Sequence, residues 1–320
     1  LLERLALFAY DGSGFKPVPF QVDERGRDGY FVYLEGPKAD PKKGNGRYDG
    51  PDELVFMAKD AGGLAPEAAA LPCEWTRGGA LELVDPVKGG KGWVYLAECR
   101  EDPPRSSVDY VTHEFDGSRD WVKTERYHFS EQRGATFFDR LALRGASGKV
   151  GENLIDRLKG RTKITAIGGR ISLTPDETAA LGGIQAWIDG PVRVVHRMQG
   201  YVKLAAVKIE LGGASENLFY SNHFVTPILV DLPFDAGSLL NSFAIRYTID
   251  WLENFEGTKY YDPVNSRGVV LDGKMSEEEK NMDYKSHRDW YALAGPQGNL
   301  VVRMVLPERW RKEIPIRMYY

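Results

Sequence analysis

The residues best suited to chemistry stand near the end of one stretch of predicted strands and turns, residues 184–232. Tyr220, Asn222 and His223 are almost adjacent there, and Arg246 follows on the next apolar run. Tyrosine can serve as a general acid or base, and arginine or asparagine can stabilise an enolate-like negative charge. Such a set would suit β-elimination on a uronic-acid polysaccharide. The same residue types are common in structural positions of strands, so a catalytic and a structural interpretation both stay open.

A second candidate combines aromatic rings with carboxylates. Acidic residues stand on both sides of Trp251, and Tyr260 and Tyr261 directly precede Asp262. Glycoside hydrolysis needs two carboxyl groups about 5–10 Å apart, and a flat aromatic ring beside them would suit the face of a sugar. We therefore expect Trp251, Tyr260 and Tyr261 to contact a ligand, with packing of Trp251 in the core as the alternative.

A third candidate is a loop rich in oxygen ligands of the kind that Ca²⁺ prefers, in which glycines allow tight curvature. These ligands are Asp40, Asn45, Asp49, Asp52 and Glu53. Their spacing departs from that of a helix-loop-helix calcium loop, and three basic residues in the same loop would oppose a cation. The loop is thus either a calcium site or a solvated connection, and we expect no cofactor other than calcium.

Composition and motifs exclude several classes of function. The chain has 42 basic and 46 acidic residues, a net charge of −4, and it shows no basic stripe of the kind that binds nucleic acid. Its apolar runs fall short of the roughly 20 residues that span a bilayer. The sequence contains no nucleophile elbow, no phosphate-binding loop and no H-E-x-x-H zinc motif, and its five histidines are dispersed.

The two cysteines, Cys73 and Cys99, bracket a predicted hairpin whose outer ends would lie side by side. A disulfide between them would suit an oxidising compartment, whereas two buried free thiols are the alternative. The chain opens on leucine, which fits either a removed export signal or a segment trimmed from a longer chain. We therefore expect an extracytoplasmic protein, periplasmic or secreted.

Many short apolar runs separated by Gly and Pro predict an all-β chain. We expect a large antiparallel β-sandwich of one or two packed sheet units with few short helices. Turn signals at residues 11–14 and 189–191 predict hairpins. Pro17 and Pro19 predict that the second strand, residues 15–23, lies at a sheet edge or carries a bulge. Residues 30–34 and 121–129 each predict one strand. Capping residues predict helices that begin after Thr174 and Ser276.

A weak boundary near residues 146–151 divides the predicted strands into two halves. It predicts an N-terminal β-rich unit, residues 1–146, and a C-terminal β-sandwich unit, residues 147–320. One continuous domain is the alternative.

Several segments together resemble exported, largely uncharacterised bacterial β-sandwich proteins. They include VDERGRDGY, DGPDELVFMAKDAGG, GWVYLAE, NLIDRLKGRTKI and IDGPVRVVHRM. In architecture such proteins are similar to the sandwiches of the galactose-mutarotase-like and polysaccharide-lyase type. The resemblance implies the compartment and the fold, and it assigns no catalytic residues.

Two functions follow as hypotheses. The first is an extracytoplasmic binding or structural module, an accessory subunit of a cell-envelope or extracellular assembly whose edge strands dock a protein partner or a polysaccharide. The second is a polysaccharide lyase built around Tyr220, Asn222, His223 and Arg246. Whether the protein is an enzyme is left open, and neither hypothesis involves nucleic acid or a membrane span.

Overall fold

The computed structural model describes residues 1–135, 138–145, 147–166, 169–171, 180–204, 207–210, 215–227, 240–253 and 256–308. Over these residues the chain forms six antiparallel sheets with very little helix, so the predicted all-β, sandwich-like fold is confirmed. No helix in the described ranges is long and apolar enough to cross a membrane.

The strands before residue 146 are β1 (Leu5–Tyr10), β2 (Phe15–Pro17), β3 (Phe20–Asp23), β4 (Glu53–Phe56), β5 (Trp75–Val84), β6 (Lys91–Cys99), β7 (Val111–Phe115), β8 (Arg119–Thr124), β9 (Tyr127–Gln132) and β10 (Arg140–Leu143). The strands after it are β11 (Ile155–Ala166), β12 (Gly169–Ile171), β13 (Ala180–Asp189), β14 (Arg193–Leu204), β15 (Val207–Glu210), β16 (Ser215–Tyr220), β17 (Phe224–Val225), β18 (Leu240–Trp251), β19 (Thr258–Tyr261), β20 (Val269–Leu271), β21 (Trp290–Gly295) and β22 (Gly298–Arg303). Short 3₁₀ turns cover Leu2–Arg4, Pro41–Lys43 and Ala58–Asp60, and one α-helix, α1, covers Glu277–Lys280.

The sheets are joined in the orders β2-β1-β6-β5, β3-β4, β10-β9-β8-β7, β12-β11-β18, β13-β14-β16-β17 with β15 beside β14, and β20-β19-β21-β22. In the first sheet β1 is buried on both faces because every residue from Leu5 to Ala9 is apolar. Ala6 and Phe8 pack towards Cys99 on one face, and Leu7 packs towards Val94 on the other.

The prolines act at the edge of that sheet, as predicted. Pro17 ends β2, which pairs only with β1 in the described chain. The strand predicted through Asp23 breaks at Pro19, and its second part, β3, pairs with β4 instead. A proline cannot donate to a ladder, so the chain changes partner where the two prolines stand.

The single strand predicted over residues 121–129 is wrong, because this segment forms a hairpin. Thr124 Oγ1 accepts hydrogen bonds from the backbone N–H groups of Arg126 (3.0 Å) and Tyr127 (2.9 Å). A threonine side chain that captures nearby amides favours a turn over a continued strand. The turn brings Val122 opposite Phe129, so both face the core.

The strand predicted over residues 30–34 is also absent. This segment is extended but makes only isolated bridges, between Arg25 and Phe31 and between Glu35 and Trp187. Phe31 and Tyr33 instead pack on the sheet that contains β13 and β14.

The hairpin predicted at residues 189–191 is confirmed and joins β13 to β14. A Cβ at Gly190 would lie 2.3 Å from Gln21 Oε1, so a larger residue here would displace the Gln21 side chain. That oxygen accepts hydrogen bonds from the N–H groups of Val192 (3.0 Å) and Arg193 (2.9 Å), which ties the turn to β3.

The helix predicted after Ser276 is confirmed as α1 with a complete capping box. Most of the helix predicted after Thr174 lies outside the described residues.

The largest hydrophobic cluster contains residues from both sides of the predicted boundary at residue 146. Phe129 and Phe138 before it pack with Ile155, Val194 and Phe219 after it. The division into two domains therefore stays a prediction, and any such division would cut through this cluster.

Candidate functional site

Three of the four predicted catalytic residues come together at one turn. The rings of Tyr220 and His223 stack with centroids 4.6 Å apart and planes 8° apart, and His223 Nδ1 lies 2.8 Å from Asn222 Oδ1. The Tyr127 hydroxyl lies within hydrogen-bond distance of the carbonyl oxygens of Tyr220 (2.9 Å) and His223 (3.1 Å), which holds the turn. Asn222 and His223 are exposed, and partial burial lowers the pKa of His223.

The fourth predicted residue, Arg246, lies in another sheet. It is exposed on β18, opposite Arg161 in the register of β11 and β18. The guanidinium that reaches the turn belongs to Arg193, whose Nη1 donates to the Tyr220 hydroxyl (3.0 Å). The structure thus supplies an arginine at the tyrosine, although not the one that sequence spacing suggested.

Arg193 forms a buried ion cluster that the sequence analysis missed. The side chain is 3% exposed, and it contacts Asp23 Oδ2 and Glu53 Oε2 at 2.6 Å each. Burial raises the pKa of Asp23, while the charge of Arg193 lowers it. The signal in the sequence is an arginine inside the apolar run VRVV, because a buried charge requires a partner. The partner could not be found by spacing, since Asp23 is 170 residues away.

The predicted ligand-binding aromatic residues lie mainly within the protein. Tyr260 is 1% exposed, its hydroxyl donates to Asp262 (2.9 Å), and its ring stacks on Tyr291, so it packs in the core rather than facing a ligand. Trp251 is half-buried against the same core. The ring of Tyr261 lies against Gly268, where an added Cβ would approach it to 2.5 Å.

The predicted calcium ligands have other partners within the loop. Asp52 accepts from the N–H groups of Arg25 (2.9 Å) and Asp49 (2.9 Å), and Asn45 Nδ2 donates to Asp49 (2.7 Å). Glu53 binds Arg25 and Arg193 instead of its loop neighbours. Asp40 is exposed. Within the described ranges no group of three or more His, Cys, Asp or Glu side chains could hold a metal ion. Calcium binding stays a prediction.

A second buried polar cluster lies between the sheet of β7–β10 and the sheet of β14. Glu131 Oε1 and His196 Nδ1 are 3.4 Å apart, and neither atom has a hydrogen-bond partner in the described chain. Burial raises the pKa of Glu131 well above its usual range and lowers the pKa of His196 to about 3. The cluster is closed to solvent and therefore joins two sheets rather than receiving a ligand.

Two residues adjoining this cluster contact the carboxylate of Asp120. His113 Nε2 lies 3.2 Å from Asp120 Oδ1, and Arg133 Nη2 donates to the same oxygen at 2.7 Å. Burial alone would raise the pKa of Asp120, but the hydrogen bonds from His113 and Arg133 lower it to about 2.

One edge of β5 has no partner strand in the part of the chain that the structure describes. The strand is ten residues long and exposed at every position except Leu83, and in the described chain it pairs only with β6. Trp93 of β6 exchanges both backbone hydrogen bonds with Gly62 (3.0 Å each), on the side away from β5. In an antiparallel pair, two directly opposite residues either bond to each other through their backbone groups or both direct those groups away from each other. Trp93 bonds to Gly62, so the opposite residue, Glu82, directs its N–H and C=O away from β6, towards the open edge.

Because the direction alternates along a strand, the backbone groups of Gly78, Ala80 and Val84 point outwards together with those of Glu82. This row can bond to a further strand. Exposed edges of this kind are usually blocked by proline, lysine or a covering element. β5 contains neither proline nor lysine, whereas Pro17 blocks the opposite edge of the sheet.

A groove of about 670 Å³ runs beside β5. Tyr95 and Phe15 lie in it with ring centroids 4.9 Å apart, in an edge-to-face arrangement. The groove is lined by Phe15, Ala65, Pro66, Glu67, Ala69, Ala70, Leu71, Cys73, Glu74, Trp75, Gly78, Gly79, Ala80, Tyr95, Leu96 and Arg100. Its volume lies in the range of ligand-binding clefts.

The wall of the groove, residues 65–74, is anchored at both ends. The Tyr95 hydroxyl accepts a hydrogen bond from the N–H of Ala65 (2.7 Å), and a disulfide joins Cys73 to Cys99 of β6. Residues 66–69 form a single turn, closed by a hydrogen bond from the N–H of Ala69 to the carbonyl oxygen of Pro66. The groove thus has a fixed wall on one side and the open strand edge on the other.

Comparison with known protein families, curated proteins and solved structures finds no match for this chain. The resemblance to galactose-mutarotase-like and polysaccharide-lyase sandwiches is therefore untested, and function must be argued from the chemistry of the sites.

Proposed function

We propose that this protein is an extracytoplasmic binding module that takes up an extended segment of a protein partner at β5. The observation that carries the proposal is the ten-residue strand with a row of outward backbone groups and without proline or lysine. An extended peptide that adds a strand to such an edge gains main-chain hydrogen bonds, and neighbouring pockets select its side chains. The Cys73–Cys99 disulfide supports an oxidising compartment.

The test begins with a display library of random twelve-residue peptides selected on the wild-type protein. Enriched peptides are synthesised, and their affinity is measured by fluorescence anisotropy. Strand addition predicts that N-methylation of every second peptide amide lowers affinity about tenfold, because each such amide loses a hydrogen bond to β5. Methylation of the intervening amides serves as the matched control and leaves affinity nearly unchanged.

The site is located by amide hydrogen exchange. The amides of Gly78, Ala80, Glu82 and Val84 should gain protection on peptide binding, while those of Leu81 and Leu83, already directed at β6, should not change. Glu82→Pro removes one outward donor at an edge position that tolerates proline and should weaken binding at least tenfold. The proposal is overturned if no peptide is enriched, if protection falls elsewhere, or if sedimentation shows a dimer paired through β5.

The turn at Tyr220 favours a second candidate function, the polysaccharide lyase. Tyr220, Asn222 and His223 are together at the surface, and Arg193 contacts the tyrosine hydroxyl. Incubation with a panel of acidic polysaccharides should then raise absorbance at the unsaturated-uronate band, and Tyr220→Phe should abolish the rise. A flat trace with every polymer tested would remove this candidate.

A further inference from the structure

We infer that the groove beside β5 selects a partner segment with a bulky apolar residue and, two positions away, a basic one. This inference rests on the proposed strand addition and specifies what is added. The spacing follows from strand geometry, because only every second side chain of an added strand faces the groove.

The apolar preference follows from which side chains β5 presents. Ala80 is directly opposite Tyr95, and Gly78 is opposite Ala97, and residues in such pairs share one face of the sheet. Tyr95 and Ala97 belong to the apolar cluster on the groove side, together with Phe15 and Leu71. On that face, β5 therefore covers the centre of the groove only with the hydrogen of Gly78 and the methyl group of Ala80, which leaves room for a side chain of the partner.

The preferred size follows from the distance that the incoming side chain must cover. An added strand lies about 4.8 Å from β5 and about twice that from β6. A side chain on the new strand must reach across Ala80 to contact the Tyr95 and Phe15 rings. Leucine or an aromatic residue is long enough to do so, and an aromatic ring would add edge-to-face contacts with this existing ring pair. Short side chains would leave the groove empty.

The basic preference follows from the charges on the rim. Glu67 and Glu74 line the groove and are exposed, and the described chain provides no ion-pair partner for either. Arg100 is the one cation among the lining residues of the described groove, so the lining carries a net charge of −1 from two acids and one base. The other charges near β5 are neutralised within the protein, Arg77 by Glu98 and Glu82 by Lys91. An incoming lysine or arginine is therefore favoured over an acidic residue.

A pair of neighbouring substitutions provides a matched test. Ala80→Leu places a larger side chain in the groove. Leu81→Phe enlarges a side chain on the opposite face of β5, where Leu81 is 41% exposed and lies outside the groove lining. The display library should enrich Phe, Trp or Leu at one position and Lys or Arg two positions away. For such a peptide, Ala80→Leu should weaken binding at least tenfold, and Leu81→Phe should change it less than twofold.

Two further measurements address size and charge. Shortening the apolar anchor of the peptide to alanine should restore part of its affinity for Ala80→Leu while lowering its affinity for the wild type. Glu67→Gln with Glu74→Gln should weaken the peptide about threefold at low salt and little at high salt, as expected for exposed charges. Equal losses for Ala80→Leu and Leu81→Phe, or enrichment without the spaced pair, would overturn the inference. If the outward amides of β5 are protected in that case, the proposed strand addition still stands; if they are not, both fail.

Discussion

At the scale of single residues, the charges buried in the interior impose the strictest requirements on the chain. Asp23 is 2% exposed and depends on Arg193, which also holds Glu53 and Tyr220. We expect Arg193→Met to lower the free energy of unfolding by about 3–5 kcal/mol, because it leaves the Asp23 carboxylate buried without a counter-charge. Urea denaturation monitored by tryptophan fluorescence measures this loss.

The control for that substitution is Arg303→Met. Arg303 is exposed and lies 3.6 Å from Asp289, and exposed pairs contribute only about 0–1 kcal/mol. Adding Asp23→Asn to Arg193→Met should recover part of the lost stability, since the uncompensated charge is then removed. An equal loss for Arg193→Met and Arg303→Met would show that the buried cluster has no special role.

The buried Glu131–His196 pair predicts a specific dependence of stability on pH. Burial raises the pKa of Glu131 in the folded state, so above the unfolded pKa, near 4.5, the unfolded chain releases a proton that the folded chain keeps. Stability from this group is therefore lost as pH rises. Glu131→Gln removes the effect, so the melting temperature of the variant relative to the wild type should increase as pH rises above 5.

His196 acts in the opposite direction and provides the control. Its folded pKa of about 3 means that stability falls as pH drops below the unfolded value near 6.5. This contribution is present in both the wild type and Glu131→Gln, so it cancels in their difference. A difference in melting temperature that stays constant from pH 5 to 8 would mean that Glu131 is ionised in the folded protein.

The sequence predicted local groupings of residues and missed distant ones. Tyr220, Asn222 and His223 meet because one short turn contains all three. Arg193 could not be paired with Asp23, nor Glu131 with His196, because those contacts depend on which strands pack together. Chain order alone indicated Arg246 as the fourth residue, whereas in the fold Arg193 contacts Tyr220.

At the scale of elements, strands and hairpins were predicted where turn residues mark them. The 189–191 turn and the Ser276 capping box carry strong local signals, and both are found. The break after Thr124 has no glycine or proline and depends on a side chain that captures two amides. The sequence of β5 contains neither proline nor lysine, but which strand edge stays unpaired is decided by the order of strands in the sheet.

The segment that walls the groove yields a prediction at this scale. Replacing Cys73 and Cys99 together by serine opens a link between positions 26 residues apart, which should lower the free energy of unfolding by roughly 3 kcal/mol. Amide exchange should accelerate most in residues 65–74, because the wall then keeps its hydrogen bonds at Ala65 and Glu74 but loses its covalent link to β6. Masses of the wild type with and without reductant, after thiol labelling, provide the control. Unchanged exchange in this segment would mean that the wall is held by its other contacts.

At the scale of the whole molecule, the fold class was predictable because it follows from the frequency of short apolar runs and turn residues. The packing of the sheets was not, since it depends on contacts between distant strands. Gln21 holds the β13–β14 turn, and Tyr33 and Glu35 contact residues of the same sheet from the first half. These contacts join residues before position 146 to residues after it, so a division of the chain at that boundary would remove them.

The predicted boundary can be tested by dividing the chain there. In a fragment of residues 1–146, Phe129 and Phe138 would lose Ile155, Val194 and Phe219, which complete their core in the full chain. Burial of such side chains contributes about 1.5–3 kcal/mol each, comparable in sum with the net stability of a whole domain. We therefore expect the fragment to give a poorly dispersed amide spectrum on its own. Mixing it with residues 147–320 should restore dispersion, because the shared core can then form, whereas a well-dispersed spectrum of the isolated fragment would establish an independent N-terminal domain.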